Sequence, residues 1–270
     1  MNAIEKLNKK NQEGKFICIG LDTDINKLPA CVKEKANPVL EFNKAIIDKC
    51  SRHAAAYKLN FAFYEKGGYK GLQTLEDTIA LIPKDIMIIA DAKRGDIGNT
   101  SQMYAEAILS KMNFDSITVN PYMGEDSIAP FIKIPDKLIF ILALTSNSGA
   151  SDFEKMKLEN GLYLYQLVIE KVNRWNTNNN CGIVFGATKF EELYQNMKRI
   201  GELPVLLPGV GAQGGSMEDV LKTFKEFNRK DFLINVSRGI IYKSNGTDYA
   251  EAALAELVRL NEYARQLLND

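Results

Sequence analysis

The segment IMIIADAKRGDIGNT, residues 86–100, runs from an unbroken apolar stretch straight into clustered charge. Its first half is too short for a buried helix and suits a strand covered on both faces, the kind found in parallel sheets. Its second half places Asp91, Lys93 and Asp96 within six positions. A strand that is apolar along its length and charged at its end belongs to a fold that works at strand ends, and such a fold repeats that design along the chain.

Seven more runs share it: FICIGLD (16–22), AAAYKLN (54–60), SITVNPY (116–122), LIFILALT (138–145), CGIVFGA (181–187), PVLLPGV (204–210) and FLINVSRG (232–239). Between them lie stretches with helical periodicity, among them PVLEFNKAIIDKCS, NTSQMYAEAILSKM, LYLYQLVIEKVNRW and DYAEAALAELVRLNEYARQLL. Eight alternations of strand and helix predict an α/β protein, a single (β/α)8 TIM barrel spanning residues 1–270. An open doubly wound sheet is the alternative, but its G-x-G-x-x-G fingerprint is absent after the first strand.

Bulk composition narrows the partners. Lys plus Arg and Asp plus Glu balance at 34 each, so no net field draws the chain to nucleic acid or anionic lipid. A small molecule is the expected partner. The four cysteines, Cys18, Cys31, Cys50 and Cys181, form no C-x-x-C pair, which predicts reduced thiols and neither disulfides nor zinc. The N-terminus is charged and helical in pattern, and no apolar stretch nears the roughly 20 residues that span a membrane. These features place the protein in the cytoplasm.

Active sites of such barrels lie at the C-terminal ends of the strands. Reading the runs this way offers Asp22 from the first, Lys58 from the second, Asp91 and Lys93 from the third, Asn120 from the fourth, Thr145 and Ser146 from the fifth, Gln213 beyond the seventh and Arg238 from the eighth. The only histidine, His53, precedes the second strand and is expected at the opposite end, so a histidine base is not expected. Asn120 and Pro121 read as turn formers, Trp175 as outer packing, Cys18 as barrel filling, and Tyr57 and Tyr122 as core.

Side chains two apart on a strand share a face, so Asp91 and Lys93 should project together, with Asp96 in the loop beyond. A structural ion pair is the bland reading. It weakens here because charge inside a barrel is costly unless paired or functional. Lys58 arrives from the neighbouring strand, and the alternating set Lys58, Asp91, Lys93, Asp96 is electrically balanced. Flanking carboxylates stabilise the ammonium form of Lys93, which suits a proton donor rather than a nucleophilic amine. A carboxylate at Asp91 would repel an anionic substrate group and favour its departure, though the weight of such destabilisation against preorganised transition-state stabilisation is disputed.

LLPGVGAQGGS (206–216) follows the seventh strand and NVSRGIIY (235–242) closes the eighth. Loops at these two places commonly build a phosphate site. Glycines 209, 211, 214 and 215 permit close backbone approach, and Arg238 offers a guanidinium fork. A phosphate monoester is therefore the expected substrate class.

These residues resemble the orotidine 5'-monophosphate decarboxylase family, in the subgroup whose third strand reads D-A-K-R-G-D-I-G-N-T, complete here at 91–100. GLD, the second-strand Lys, LTSNSGA, PGVGAQGG and SRG follow in the family's order over nearly the whole chain. The resemblance implies decarboxylation of orotidine 5'-monophosphate to uridine 5'-monophosphate and CO2, the last step of de novo pyrimidine nucleotide synthesis. It implies Lys93 as proton donor to the C6 carbanion, Asp91 against the substrate carboxylate, and Lys58 and Asp96 completing the network. Asp22 and Lys58 would contact the ribose, Ser146 the pyrimidine amide edge, Gln213 the region between phosphate and base, and Arg238 with Gly239 the phosphate. Asp96, Ile97 and Thr100 would enter a neighbouring subunit's site, giving a homodimer with shared active sites. No metal or organic cofactor is implied. Ser148 stands where the family pattern has Pro, and residues 61–82 and 150–160 have no assigned role. Two rival readings remain: a magnesium-dependent phosphosugar decarboxylase or synthase of the same superfamily, and a non-catalytic nucleotide-binding barrel.

Overall fold

Eight parallel strands close on themselves in chain order, each hydrogen-bonded to the next and the last to the first. They are β1 (Ile17–Gly20), β2 (Ala56–Asn60), β3 (Met87–Arg94), β4 (Ser116–Val119), β5 (Leu138–Leu144), β6 (Cys181–Phe185), β7 (Val205–Pro208) and β8 (Phe232–Val236). A helix α1 (Ala3–Gln12) precedes the barrel. The principal helices after successive strands are α2 (Pro38–Cys50), α3 (Gly68–Leu81), α4 (Gly98–Ala105), α5 (Glu125–Ile132), α6 (Leu164–Trp175), α7 (Phe190–Ile200), α8 (Met217–Glu226) and α9 (Tyr249–Asn269). The computed structural model describes residues 1–210 and 215–269. The expected (β/α)8 barrel is the observed fold, and each of the eight runs supplies its strand.

Strand parity sorts the residues into two layers. Tyr57, Leu59, Ile88, Ala90, Ile117, Val119, Ile139 and Ile141 face outward into one large cluster beneath the helices. Cys18, Ala56, Met87, Ile89, Leu138, Phe140, Val184, Leu206 and Leu233 fill the interior. Read upward along the inward rows, apolar groups give way to polar ones: Cys18 to Asp22, Ala56 to Lys58, Met87 and Ile89 to Asp91 and Lys93, Leu233 to Asn235. The two-residue period that fills the barrel thus delivers charge to its mouth.

The lower end is covered by α1. Asn2 caps it through a reciprocal capping box with Glu5, and Ala3 and Leu7 join the interior cluster. Lys6 pairs with Asp115 at 2.8 Å and Lys10 with Asp85 at 2.8 Å, anchoring the helix to the loops that enter β4 and β3. Among the described residues no helix is long and apolar enough to cross a membrane, and Cys18, Cys31, Cys50 and Cys181 are free thiols.

Several smaller expectations resolve here. Cys18 fills the barrel, and burial pushes its thiol up to about 12. Tyr57 is fully buried, and Trp175 packs partly buried on the outer core. Asn120 and Pro121 shape a turn, accepting from the N–H groups of Tyr122 and Gly124. Tyr122 departs from expectation: it is 76% exposed and meets Phe153 edge-on at 6.2 Å, because the turn throws it outward from the strand end.

Candidate active site

A cavity of about 300 Å³ opens at the C-terminal ends of the strands, a size at the lower end for small-molecule sites. Asp22, Lys58, Asp91, Lys93, Ser146 and Arg238, each singled out from sequence, line it together. So do Thr145, Asn60, Thr118 and Asn235.

At its charged wall, Asp91 receives Lys58 Nζ on Oδ2 at 2.7 Å and Lys93 Nζ on Oδ1 at 2.6 Å. The Thr118 hydroxyl donates to Oδ1 at 3.0 Å. Burial opposes ionisation of Asp91, yet Lys58 and Lys93 outweigh it and hold the carboxyl well below the usual carboxylate range. Lys58 is 3% exposed; burial works against its ammonium, but Asp91 and Asp22 overcome that and push it above the ordinary lysine range. Asp22 Oδ1 stands 3.6 Å from Lys58 Nζ and is buried without a hydrogen bond among the described residues, as is Asn235 Oδ1. Two buried acceptors at the edge of a cavity are suited to hydroxyl or amide donors on a ligand.

Lys93 carries strain. Its φ of 45° lies in the left-handed region, which costs a residue with a Cβ roughly 1–2 kcal/mol. The β3–β4 ladder shifts register there, Ala90 pairing with Ile117 and Arg94 next with Val119. Beyond the irregularity, Arg94 pairs with Glu65 and lies over the Phe61 and Tyr104 rings, 5.5 and 5.4 Å from their centroids. Part of the 61–82 segment thereby steadies the end of β3.

The opposite sector is apolar. Leu142, Val184 and Leu206, on β5, β6 and β7, line the cavity across the barrel from the charges of β1 to β3. Above them, Thr145 receives support that sequence reading missed: the Glu154 carboxylate accepts its N–H at 2.7 Å and its hydroxyl at 2.8 Å. Glu154 lies in the 150–160 segment, so that segment braces the loop carrying Ser146. Asn147 Oδ1 lies 2.6 Å from the same hydroxyl.

At the far side, Gly209 adopts φ 97°, and the Gly215 N–H reaches the Gly209 carbonyl at 3.2 Å. A Cβ on Gly215 would fall 2.9 Å from that carbonyl oxygen, so the neck of the loop requires glycine. Gly211, Gln213 and Gly214 lie outside the described residues, and the expectation for Gln213 with them. Arg238 is exposed at the rim, and its guanidinium has no hydrogen bond or ion pair among the described residues, leaving its fork open to an anion.

Four candidates are not brought to this cavity: Asp96, Ile97, Thr100 and Gly239 are absent from its lining. Asp96 turns back to accept the Ile97 N–H at 2.8 Å, and Ile97 is 62% exposed. Among the described residues no three His, Cys, Asp or Glu side chains gather as a metal-ligand set. Thr118, Asn60, Asn235 and Glu154 escaped sequence reading. Parity from Ser116 could have found Thr118, whereas nothing local marked Glu154.

Comparison with known proteins agrees with this geometry. The sequence pattern of the orotidine 5'-phosphate decarboxylase / HUMPS family matches residues 15–253. An orotidine 5'-phosphate decarboxylase of Flavobacterium johnsoniae is 45% identical over 261 residues, 96% of this chain and 95% of that protein. The structure of Leishmania donovani OMP decarboxylase superposes with a TM-score of 0.86 at 33% identity, over 100% of both chains. Leishmania donovani UMP synthase superposes with a TM-score of 0.85 at 35% identity, where this chain spans 98% of itself and 57% of the longer one.

Proposed function

This chain belongs to the orotidine 5'-phosphate decarboxylase / HUMPS family, and from that premise we propose how its residues decarboxylate orotidine 5'-monophosphate to uridine 5'-monophosphate, closing pyrimidine nucleotide synthesis. The observation that carries the reading is the Lys58–Asp91–Lys93 chain at the cavity wall. The pyrimidine lies against Leu142, Val184 and Leu206, with its carboxylate turned to Asp91 and its amide edge to Ser146. Asp22 and Lys58 take the ribose hydroxyls, and Arg238 with Gly239 and Gln213 takes the phosphate end. As the C6–carboxylate bond breaks, its electron pair stays on C6 and CO2 leaves. The Lys93 ammonium then gives its proton to C6. Charge held in place before reaction costs no reorganisation when the carbanion forms, and phosphate binding remote from C6 can be expressed in the same transition state.

The residues 1–270 act as one catalytic domain in the cytoplasm, with no metal or organic cofactor, no nucleic acid and no membrane. Purified protein is expected to consume orotidine 5'-monophosphate in the presence of a magnesium chelator, followed by ultraviolet absorbance. Loss of turnover on chelation would favour the phosphosugar branch of the family, and no turnover in either condition the non-catalytic barrel.

A homodimer with shared sites completes the reading. The segment after β3 that carries Asp96, Ile97 and Thr100 exposes Ile97 at 62% and Met103 at 50%, and the one after β4 exposes Tyr122 at 76% and Met123 at 45%, apolar groups suited to a second copy of the chain. Asp96 of one subunit then extends the Lys58–Asp91–Lys93 chain of the other. Mixed Lys93→Ala and Asp96→Ala subunits are expected to recover activity, up to about one quarter of wild type if pairing is random and only the heterodimers carry one intact site. Confirmed heterodimers without recovery would rule out sharing.

A further inference from the structure

The register shift in β3 leaves one residue of β4, Thr118, opposite the three-residue stretch Asp91, Ala92 and Lys93. A backbone that bulges in this way loses its regular ladder bonds, and a buried N–H left without an acceptor is costly. Thr118 supplies the acceptor: the Lys93 N–H donates to its Oγ1 at 3.0 Å. The same oxygen donates its single hydrogen to Asp91 Oδ1 at 3.0 Å. Both directions are fixed by chemistry, because a backbone N–H can only donate and an ionised carboxylate can only accept. Thr118 is 1% exposed and its strand pairs regularly with β5 on the other side, Thr118 opposite Phe140. It is therefore a rigid post between the backbone of one charged residue and the carboxylate of the other.

We infer that the Thr118 hydroxyl is a positioning residue for the reaction, acting through Asp91 and Lys93 by holding the strained Lys93 backbone and the Asp91 carboxylate in register with each other. Among the described residues Asp91 takes three donors, Lys58, Lys93 and Thr118, of which only Thr118 also grips the backbone that carries the proton donor. Without the hydroxyl, the Lys93 N–H loses its acceptor and Asp91 is free to follow its two lysines. A misplacement of this kind lowers the rate of a bound complex more than it lowers binding.

The inference rests on the decarboxylase reading, and wild-type protein assayed alongside separates the two: an inactive wild type overturns that reading, and the variants then decide nothing in its favour. With active wild type, Thr118→Val, nearly the same shape without the hydrogen bonds, is expected to lower kcat ten- to a hundredfold. KM and the dissociation constant for uridine 5'-monophosphate should stay within threefold. Thr118→Ser, which keeps the hydroxyl, should restore kcat to within threefold of wild type. Thr118→Ala carries the same expectation as Val should the valine variant fail to fold. A kcat for Val or Ala within threefold of wild type overturns the inference. So does a serine variant as slow as Val or Ala, which would assign the effect to the lost methyl and its packing.

Discussion

Lys93→Ala is expected to lower kcat for orotidine 5'-monophosphate by ~10²–10⁴-fold or more, the span that loss of a positioned general acid covers. The substitution removes the one ammonium, among the described residues, that both touches Asp91 and remains half exposed at the cavity, its side chain being 50% accessible. Lys58 cannot take its place, since it is buried and committed to Asp91 Oδ2 at 2.7 Å. The fold should survive, because Asp91 keeps two donors, Lys58 and Thr118. Removing the side chain also does nothing to relieve the φ of 45°, so stability should change little in either direction. Absorbance assays at saturating substrate, with circular dichroism as the control for folding, check this. A folded Lys93→Ala protein within tenfold of the wild-type rate would take the proton-donor role away from Lys93.

Asp91→Ala should act on stability as strongly as on rate. Lys58 would remain 3% exposed, with Asp22 Oδ1 at 3.6 Å as its nearest counter-charge. Removing one partner of a buried ion pair costs about 3–5 kcal/mol, which in a chain of this size is roughly 6–20 °C in Tm. A pH dependence follows. The Asp91 carboxyl titrates lower in the folded protein than unfolded, so between the two values the unfolded chain binds the extra proton and stability rises with pH. Its contribution is full above the unfolded carboxylate range and drains away as pH falls from about 5 through the folded value. Unfolding free energies measured from pH 3 to 7 should therefore have a shallower slope in Asp91→Ala than in wild type. Equal slopes would show that the carboxylate is not held by its lysines in the folded state.

The fold and the charged wall were legible because they rest on short-range rules. Uninterrupted apolar runs marked all eight strands, and the two-residue period put Lys58, Asp91 and Lys93 on the inner face. The strand ends offered Ser146 and Arg238 as well, and the family pattern gave them roles. What stayed hidden depends on register between strands. Thr118 sits within SITV, where threonine reads as ordinary strand propensity, and its partnership with Asp91 appears only when the β3 irregularity sets it opposite three residues. Glu154 was hidden because its contact with Thr145 is made by an irregular segment with no period to read. Tyr122 misled for a related reason: an aromatic beside a strand suggests core, but the Asn120–Pro121 turn reverses its direction.

Helix α1 has a bearing on traffic. By seating Ala3 and Leu7 among the interior side chains and tying Lys6 and Lys10 to Asp115 and Asp85, it stoppers the floor of the cylinder. Among the described residues, entry and departure then share the mouth at the strand ends. With the substrate carboxylate placed against Asp91 as proposed, carbon dioxide must slip past the nucleotide or follow it out, and retained product blocks the door through which the next substrate would come.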